Sequence, residues 1–204
     1  MQKLKIVIIG ILLIGLVMGY FLYLSNKTQG IHATKTPTEK NMDDSKERIG
    51  DEGYEQEISN LIGKDLEREY PATPAAVLKF FGRIQVCYYN SKCSEDQLSK
   101  LADQARMLFS KELLEDNPKE TYLSNLKGEI KRYQEDEKTI VNLSVEDPEG
   151  IEKKTINEIE YAQAEVVYYL QTKGAYSELT EIYMLKQNSE GQWKIVGWTR
   201  EDED

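Results

Sequence analysis

Ile159 to Gln187 reads IEYAQAEVVYYLQTKGAYSELTEIYMLKQ, and the alternation inside it decides the class of fold. Ala162, Ala164, Val166, Tyr168 and Leu170 recur at every second position, with Glu165 and Gln171 on the opposite face. That is the period of a strand with one buried side. Lys173-Gly174 carries turn chemistry, and from Tyr176 to Gln187 the chain is again rich in β-branched and aromatic residues. Outward from this hairpin, Thr139 to Val145 and Trp193 to Thr199 have the same composition. Asp147-Pro-Glu-Gly150 and Asn188-Ser-Glu-Gly191 stand between the runs as connections. The second half therefore predicts a meander of about four antiparallel strands.

Upstream the period changes to that of helices. Thr73-Pro74 has the chemistry of a helix start, Thr as cap and Pro in the first turn, and Val77, Phe80, Phe81, Ile84, Cys87 and Tyr88 follow at three- and four-residue steps. Asn90-Ser-Lys92 interrupts them. Ser94 and Gln97 form a capping box ahead of Leu98, Leu101, Ala105 and Leu108, and Asn117-Pro118 opens a third helix with Tyr122, Leu126, Ile130 and Tyr133 on one face and charges on the other. Helices followed by strands predict an α+β domain over residues 73–200, with helices packed on the antiparallel sheet. Residues 51–72 hold a further amphipathic helix, Tyr54, Ile58, Leu61, Ile62 and Leu66, whose docking the sequence leaves open, and residues 201–204 are an acidic tail.

Ile6 to Leu24, IVIIGILLIGLVMGYFLYL, is nineteen residues without a charge. At about 1.5 Å per residue it spans roughly the 30 Å hydrocarbon layer, which predicts a transmembrane helix. Lys3 and Lys5 place the five-residue N-terminus in the cytoplasm and the bulk of the chain outside. Tyr20 to Leu24 fill the place where a cleavable signal would carry small residues, which favours an uncleaved anchor. Gly15 and Gly19 have the GxxxG spacing of a helix-dimer face. Residues 25–50 are polar and without apolar periodicity, as in a flexible linker.

The chain has 204 residues and a formal charge of −10, and beyond the span the excess of acid is greater still. Without clustered Lys and Arg, nucleic acid is excluded as a partner. One His and two Cys leave no set for a protein-built zinc site. Walker-type, GxSxG and HExxH patterns are absent. The sequence thus points to no cofactor and no metal, and it names no catalytic residue.

The order of a Pro-started helix, further helices and long strands ending in Gly191-Gln-Trp193-Lys-Ile-Val-Gly-Trp198 resembles the nuclear transport factor 2-like fold, over residues 73 to 199. The resemblance implies a curved sheet wrapped around helices into a cone with an internal pocket. More narrowly, Ser94 to Met107, Leu113 to Tyr133 and the Trp193 strand resemble an uncharacterised family of single-pass membrane proteins of Lachnospiraceae-type Gram-positive bacteria. This implies a bacterial cell-envelope setting and carries over no activity.

Within such a cone Tyr88, Tyr133, Tyr168 and Tyr183 are candidate pocket-lining residues, against the alternative of core rings with wet tips. Some enzymes of the superfamily, ketosteroid isomerases among them, pair an acidic base with a tyrosine donor, and Glu165 or Glu181 facing Tyr169 or Tyr183 is the layout here that imitates it. Cys87 and Cys93, six apart and extracytoplasmic, are either a disulfide stapling the helix end or a buried small residue beside a free thiol. The expected function is a membrane-anchored, non-catalytic binding or interaction module, its partner an envelope protein or a small ligand. The alternatives are a structural subunit of an envelope assembly such as a secretion or conjugation machine, and an enzyme using the cone pocket.

Overall fold

The computed structural model describes residues 51–200. The expected span Ile6–Leu24 with Gly15 and Gly19, the linker and the acidic tail lie outside the described residues. Among the described residues no helix is long and apolar enough to cross a membrane.

Among the described residues five helices come first: α1 (Asp51–Gly63), α2 (Pro74–Asn90), α3 (Glu95–Met107), α4 (Lys111–Asp116) and α5 (Lys119–Glu135). Five strands follow: β1 (Lys138–Val145), β2 (Glu152–Ile156), β3 (Ile159–Thr172), β4 (Ala175–Gln187) and β5 (Trp193–Arg200). The α+β class is as expected, with helices packed on one antiparallel sheet.

The helix starts follow their caps. Thr73 Oγ1 accepts from the Ala76 N–H at 3.1 Å with Pro74 behind it, and Ser94 and Gln97 close the expected box at 3.2 and 2.8 Å. α2 buries Val77, Phe81, Ile84, Cys87 and Tyr88 and packs on the sheet along β1. It comes so close that a Cβ on Gly82 would meet Leu143 of β1 at 2.9 Å. The third expected helix is preceded by the short α4, which Ser110 caps at the Leu113 N–H, 3.3 Å.

α1 belongs to the domain. Ile58 and Leu61 are buried, Arg83 of α2 holds Glu57 in a bidentate pair at 2.6 and 2.9 Å, and Gln97 of α3 reaches Glu55 at 2.9 Å. The folded unit thus takes in residues from 51 onward, where the spacing pointed to a start near Thr73.

The sheet runs β1-β3-β4-β5, and β2 pairs with the first residues of β3 on the β1 side. The β3–β4 ladder extends from Tyr161↔Lys186 to Thr172↔Ala175, closed by Lys173 and Gly174 at φ 51° and 87°. The strand total is one more than expected. β2, Glu-Lys-Lys-Thr-Ile, has no apolar face of its own and is held by pairing and by Asn157 and Glu158 at φ 48° and 67°. Bulges interrupt β1 between Ile140 and Asn142, and the β4–β5 ladder after Met184. At one edge of the sheet, Leu108 and Ser110 bond to the Ile195 amide and carbonyl at 2.8 Å each. At the other, the Asn90 side chain takes the place of a strand. It donates to the Ile140 carbonyl at 2.5 Å and accepts from its N–H at 2.8 Å.

Candidate functional site

The face of the sheet that meets the helices carries Ala162, Ala164, Val166, Tyr168 and Leu170 from β3 and Glu181, Tyr183 and Leu185 from β4, all buried. Register sets what meets there. Glu181 stands across from Val166 on one side and Arg200 on the other, while Tyr183 stands between Ala164 and Trp198. The small alanine leaves room for the tyrosine ring, which stacks on Trp198 at 5.5 Å and meets Phe81 of α2 edge-on at 6.0 Å. Phe109 completes the group, 5.7 Å from Phe81 and 6.3 Å from Trp198. Between helices and sheet these rings form one cluster.

Inside this packing lies a polar chain. Tyr183 donates to Glu181 Oε2 at 2.6 Å, and the Tyr168 and Tyr183 hydroxyls are 3.0 Å apart. Arg200 Nε donates to Glu181 Oε1 at 3.3 Å. Glu181 is only 4% exposed, whereas the Arg200 side chain is 58% exposed, so one end of the chain is sealed and the other wet. Burial pushes the Tyr168 and Tyr183 phenols well above their ordinary range, and the nearby Glu181 carboxyl pushes them further. Burial lowers the Arg200 guanidinium, but its bond to Glu181 and the charges of Glu181, Tyr133 and Glu129 together outweigh that and raise it. Each oxygen of Glu181 therefore has its own donor. A protonated phenol already bonded to that carboxyl holds it in place, and it does not activate it as a base.

Of the layouts the sequence left open, Glu181 with Tyr183 is the one brought together. Glu165 is exposed on the opposite face of β3, its N–H bonded to Glu146 Oε2 at 3.0 Å, and Tyr169 shares that face. Tyr133 lies close enough to Tyr168, Glu181 and Arg200 to feel their charges, but its ring packs on α2. It stacks on Tyr89 at 4.2 Å, and the Tyr89 hydroxyl bonds to Glu129 at 3.0 Å, which fixes α5 to α2. Tyr88 is buried in α2 beside Tyr89 and Tyr122, its phenol raised above all by burial.

Cys87 and Cys93 are both free thiols. Cys87 is fully buried, and burial first of all pushes its thiol up to about 12. Cys93 is half-buried just past the helix end, its Sγ 3.0 Å from Ser91 Oγ and 3.8 Å from the Cys87 carbonyl oxygen. Burial raises this thiol too, so neither is the lowered thiolate that nucleophilic catalysis needs. Among the described residues no group of His, Cys, Asp and Glu is placed to hold a metal ion.

A cleft of about 260 Å³ opens on the helical side instead, between the end of α2, the start of α3 and the middle of α5. Tyr88, Leu98 and Ile130 give it an apolar lining, with Lys92, Lys127 and Lys131 around it and Cys93 in its wall. Lys127 pairs with Glu95 and Lys131 lies 3.6 Å from Glu135. The signal was present in the sequence: Lys127, Ile130, Lys131 and Gln134 fall at steps of three, one and three, one face of α5, which reads equally as a solvated charged surface.

Residues 1–198 match the model of a family described as a domain of unknown function, DUF6715. No curated protein matches the chain.

Proposed function

We propose that this chain, which belongs to that family of unknown function, is a membrane-anchored extracytoplasmic interaction module that works through the outer surface of its domain. The reading rests on one observation above all. Where a cone-type ligand pocket was expected, Phe81, Phe109, Tyr183 and Trp198 pack on one another, and the buried carboxyl of Glu181 has one oxygen bonded to Tyr183 and the other to Arg200. Ligand sites are concave and keep polar groups aimed at open space. Here the polar groups are spent on each other.

The anchor is the charge-free run Ile6–Leu24, with Lys3 and Lys5 inside and the domain outside. The family match takes in that run together with the linker and the domain, which supports reading them as one unit. The fold itself is a filled variant of the nuclear transport factor 2-like cone. The order of helices before strands, the Pro-started α2 against the sheet and the final strand Trp193–Arg200 support it.

Two measurements on the full chain test this reading. Protease added outside intact cells is expected to remove the domain and leave a membrane-bound fragment of about 50 residues. Photo-cross-linkers at exposed positions such as Tyr176, Val141 and Lys131 are expected to yield a defined protein adduct. A domain protected from external protease overturns the topology. A stoichiometric metabolite carried through purification, with no adduct, returns the function to ligand binding.

A further inference from the structure

We infer that the cleft between α2, α3 and α5 is the docking site of this module, and that it receives an acidic segment of a partner protein, with one aliphatic side chain seated on Leu98 and Ile130 and flanking carboxylates on Lys92, Lys127 and Lys131. The inference rests on the interaction reading above and names where and with what chemistry the contact is made.

Charge carries the argument. The protein bears −10 overall, so an acidic partner is repelled from most of its surface. The cleft inverts this locally, with three ammonium groups around it against Glu95 in the lining and Glu135 beside Lys131. Lys92 has no ion-pair partner among the described residues, and the other two are held only in pairs of exposed side chains. Such pairs contribute little and exchange readily for another carboxylate. Lys127 and Lys131 are four apart on one helix, so they point the same way, and Lys92 faces them from the end of α2.

Geometry supplies the rest. The floor combines the Tyr88 ring, Leu98 and Ile130 with Ser91, Cys93 and Gln134, and it is contiguous with the core through Tyr88 and Leu98, both buried. A purely inorganic anion has no use for such a floor, whereas an aliphatic side chain between carboxylates fits it. The opening accepts one or two side chains and not a folded surface. The walls are fixed before binding. α2 ends where Ser91 bonds to the Cys87 carbonyl at 2.6 Å, α3 starts at its capping box, and α5 is held by the Tyr89–Tyr133 stack and the Tyr89–Glu129 bond. A preformed groove spends little entropy on ordering itself.

Cys93 lies in the wall and provides the readout, because Cys87 is sealed and does not compete for a thiol reagent. The full chain in lipid nanodiscs is alkylated with iodoacetamide in mildly alkaline buffer, with and without the peptide acetyl-Asp-Glu-Leu-Glu-Asp-amide. At ten times its Kd the peptide is expected to slow Cys93 alkylation about tenfold, since only the free form reacts. The protection is expected to fall with salt, to weaken when Ser replaces the peptide's Leu, and to weaken about tenfold in the Lys92→Glu/Lys131→Glu variant. Both substitutions are on exposed side chains, and the milder Lys92→Gln/Lys131→Gln pair is expected to lie between. Three results overturn the inference: no protection at millimolar peptide, equal protection by acetyl-Lys-Lys-Leu-Lys-Lys-amide, or equal protection by glutarate or inorganic phosphate. Protein adducts from a cross-linker at Tyr176 or Val141 with none at Lys131 also overturn it, while leaving the interaction reading in place. Absence of adducts at every position overturns both.

Discussion

Tyr183→Phe removes one oxygen atom from a fully buried ring and leaves the ring's packing on Trp198 and Phe81 intact. The cost therefore isolates the polar chain. Tyr183 is the donor to Glu181 Oε2, at 2.6 Å in a site where the carboxyl is 4% exposed, so its loss leaves a buried acceptor with no donor and no water. A hydrogen bond to a charged group contributes about 1.5–3 kcal/mol, and a desolvated orphan costs about 1–3 kcal/mol, which places the expected destabilisation at about 2–3 kcal/mol. Tyr168→Phe breaks only the contact to the Tyr183 hydroxyl at 3.0 Å, a neutral pair, and is expected to cost about 1 kcal/mol. Because the two hydroxyls belong to one chain, the double variant is expected to cost less than the sum. Urea unfolding of the full chain in detergent, followed by the fluorescence of Trp193 and Trp198 on β5, reads all three variants on one probe. Equal cost for the two single variants, or a strictly additive double, would refute the assignment of Tyr183 as the donor that satisfies Glu181.

The remaining predictions concern other parts of the same network. Burial raises the phenols of Tyr88, Tyr168 and Tyr183, and that of Tyr122 to about 12. In the unfolded chain they ionise near the ordinary value of about 10, so the unfolded state sheds protons first and stability falls as pH rises above about 10. Phenolate absorbance is expected to show these groups titrating only with cooperative unfolding, and free titration in the folded state would contradict their burial. Asn90→Ala removes both bonds that its amide makes to Ile140 and opens the edge of β1, at an expected cost of about 1–2 kcal/mol and with faster amide exchange confined to β1. Ser94→Ala deletes the acceptor of the α3 capping box and is expected to cost about 1 kcal/mol in the same urea assay, with no change in the Cys87 environment.

The hairpin at the centre of the sheet was readable to its ends because two signals agree there: alternation on β3 and a Lys173-Gly174 turn whose residues both take φ near the left-handed region. β2 was not readable, since Lys153 and Lys154 leave it without an apolar face and only its pairing with Gln163 to Ile159 makes it a strand. Spacing showed which side of α1 is apolar, but no spacing says what covers that side; Glu57 with Arg83, twenty-six residues away, does. The carboxyl of the polar chain was narrowed to Glu165 or Glu181 and no further. A single acid in an alternating strand faces water by default, and its burial is decided by register, which puts Glu181 on the helix-covered face beside Arg200 and Glu165 on the exposed one. The cleft was missed for a related reason. Its basic residues come from two helices whose relative placement is a tertiary fact, and on α5 alone they resemble any solvated face.

The polar chain and the cleft are linked through register. Sliding β4 by one residue would turn Glu181 and Tyr183 together to the open face and bring Ile182 inward, parting Glu181 from Arg200 of β5 and Tyr183 from Tyr168 of β3. A buried carboxyl that must meet a guanidinium on the neighbouring strand thus favours the register that pairs them, which is the use to which a buried charge is best suited in a sheet this long. The consequence extends to the helices. With Tyr183 and Trp198 fixed, Phe81 and Phe109 have one place to pack, so α2 crosses the sheet at one position. Tyr89 on α2 then sets α5 through the Tyr133 ring and Glu129, and α5 presents Lys127 and Lys131 toward Lys92. The ring-packed interior is, by this chain of contacts, what holds the outer cleft to a fixed width, and a loosened ring cluster is expected to weaken docking even though Phe81, Phe109, Tyr183 and Trp198 do not line the cleft.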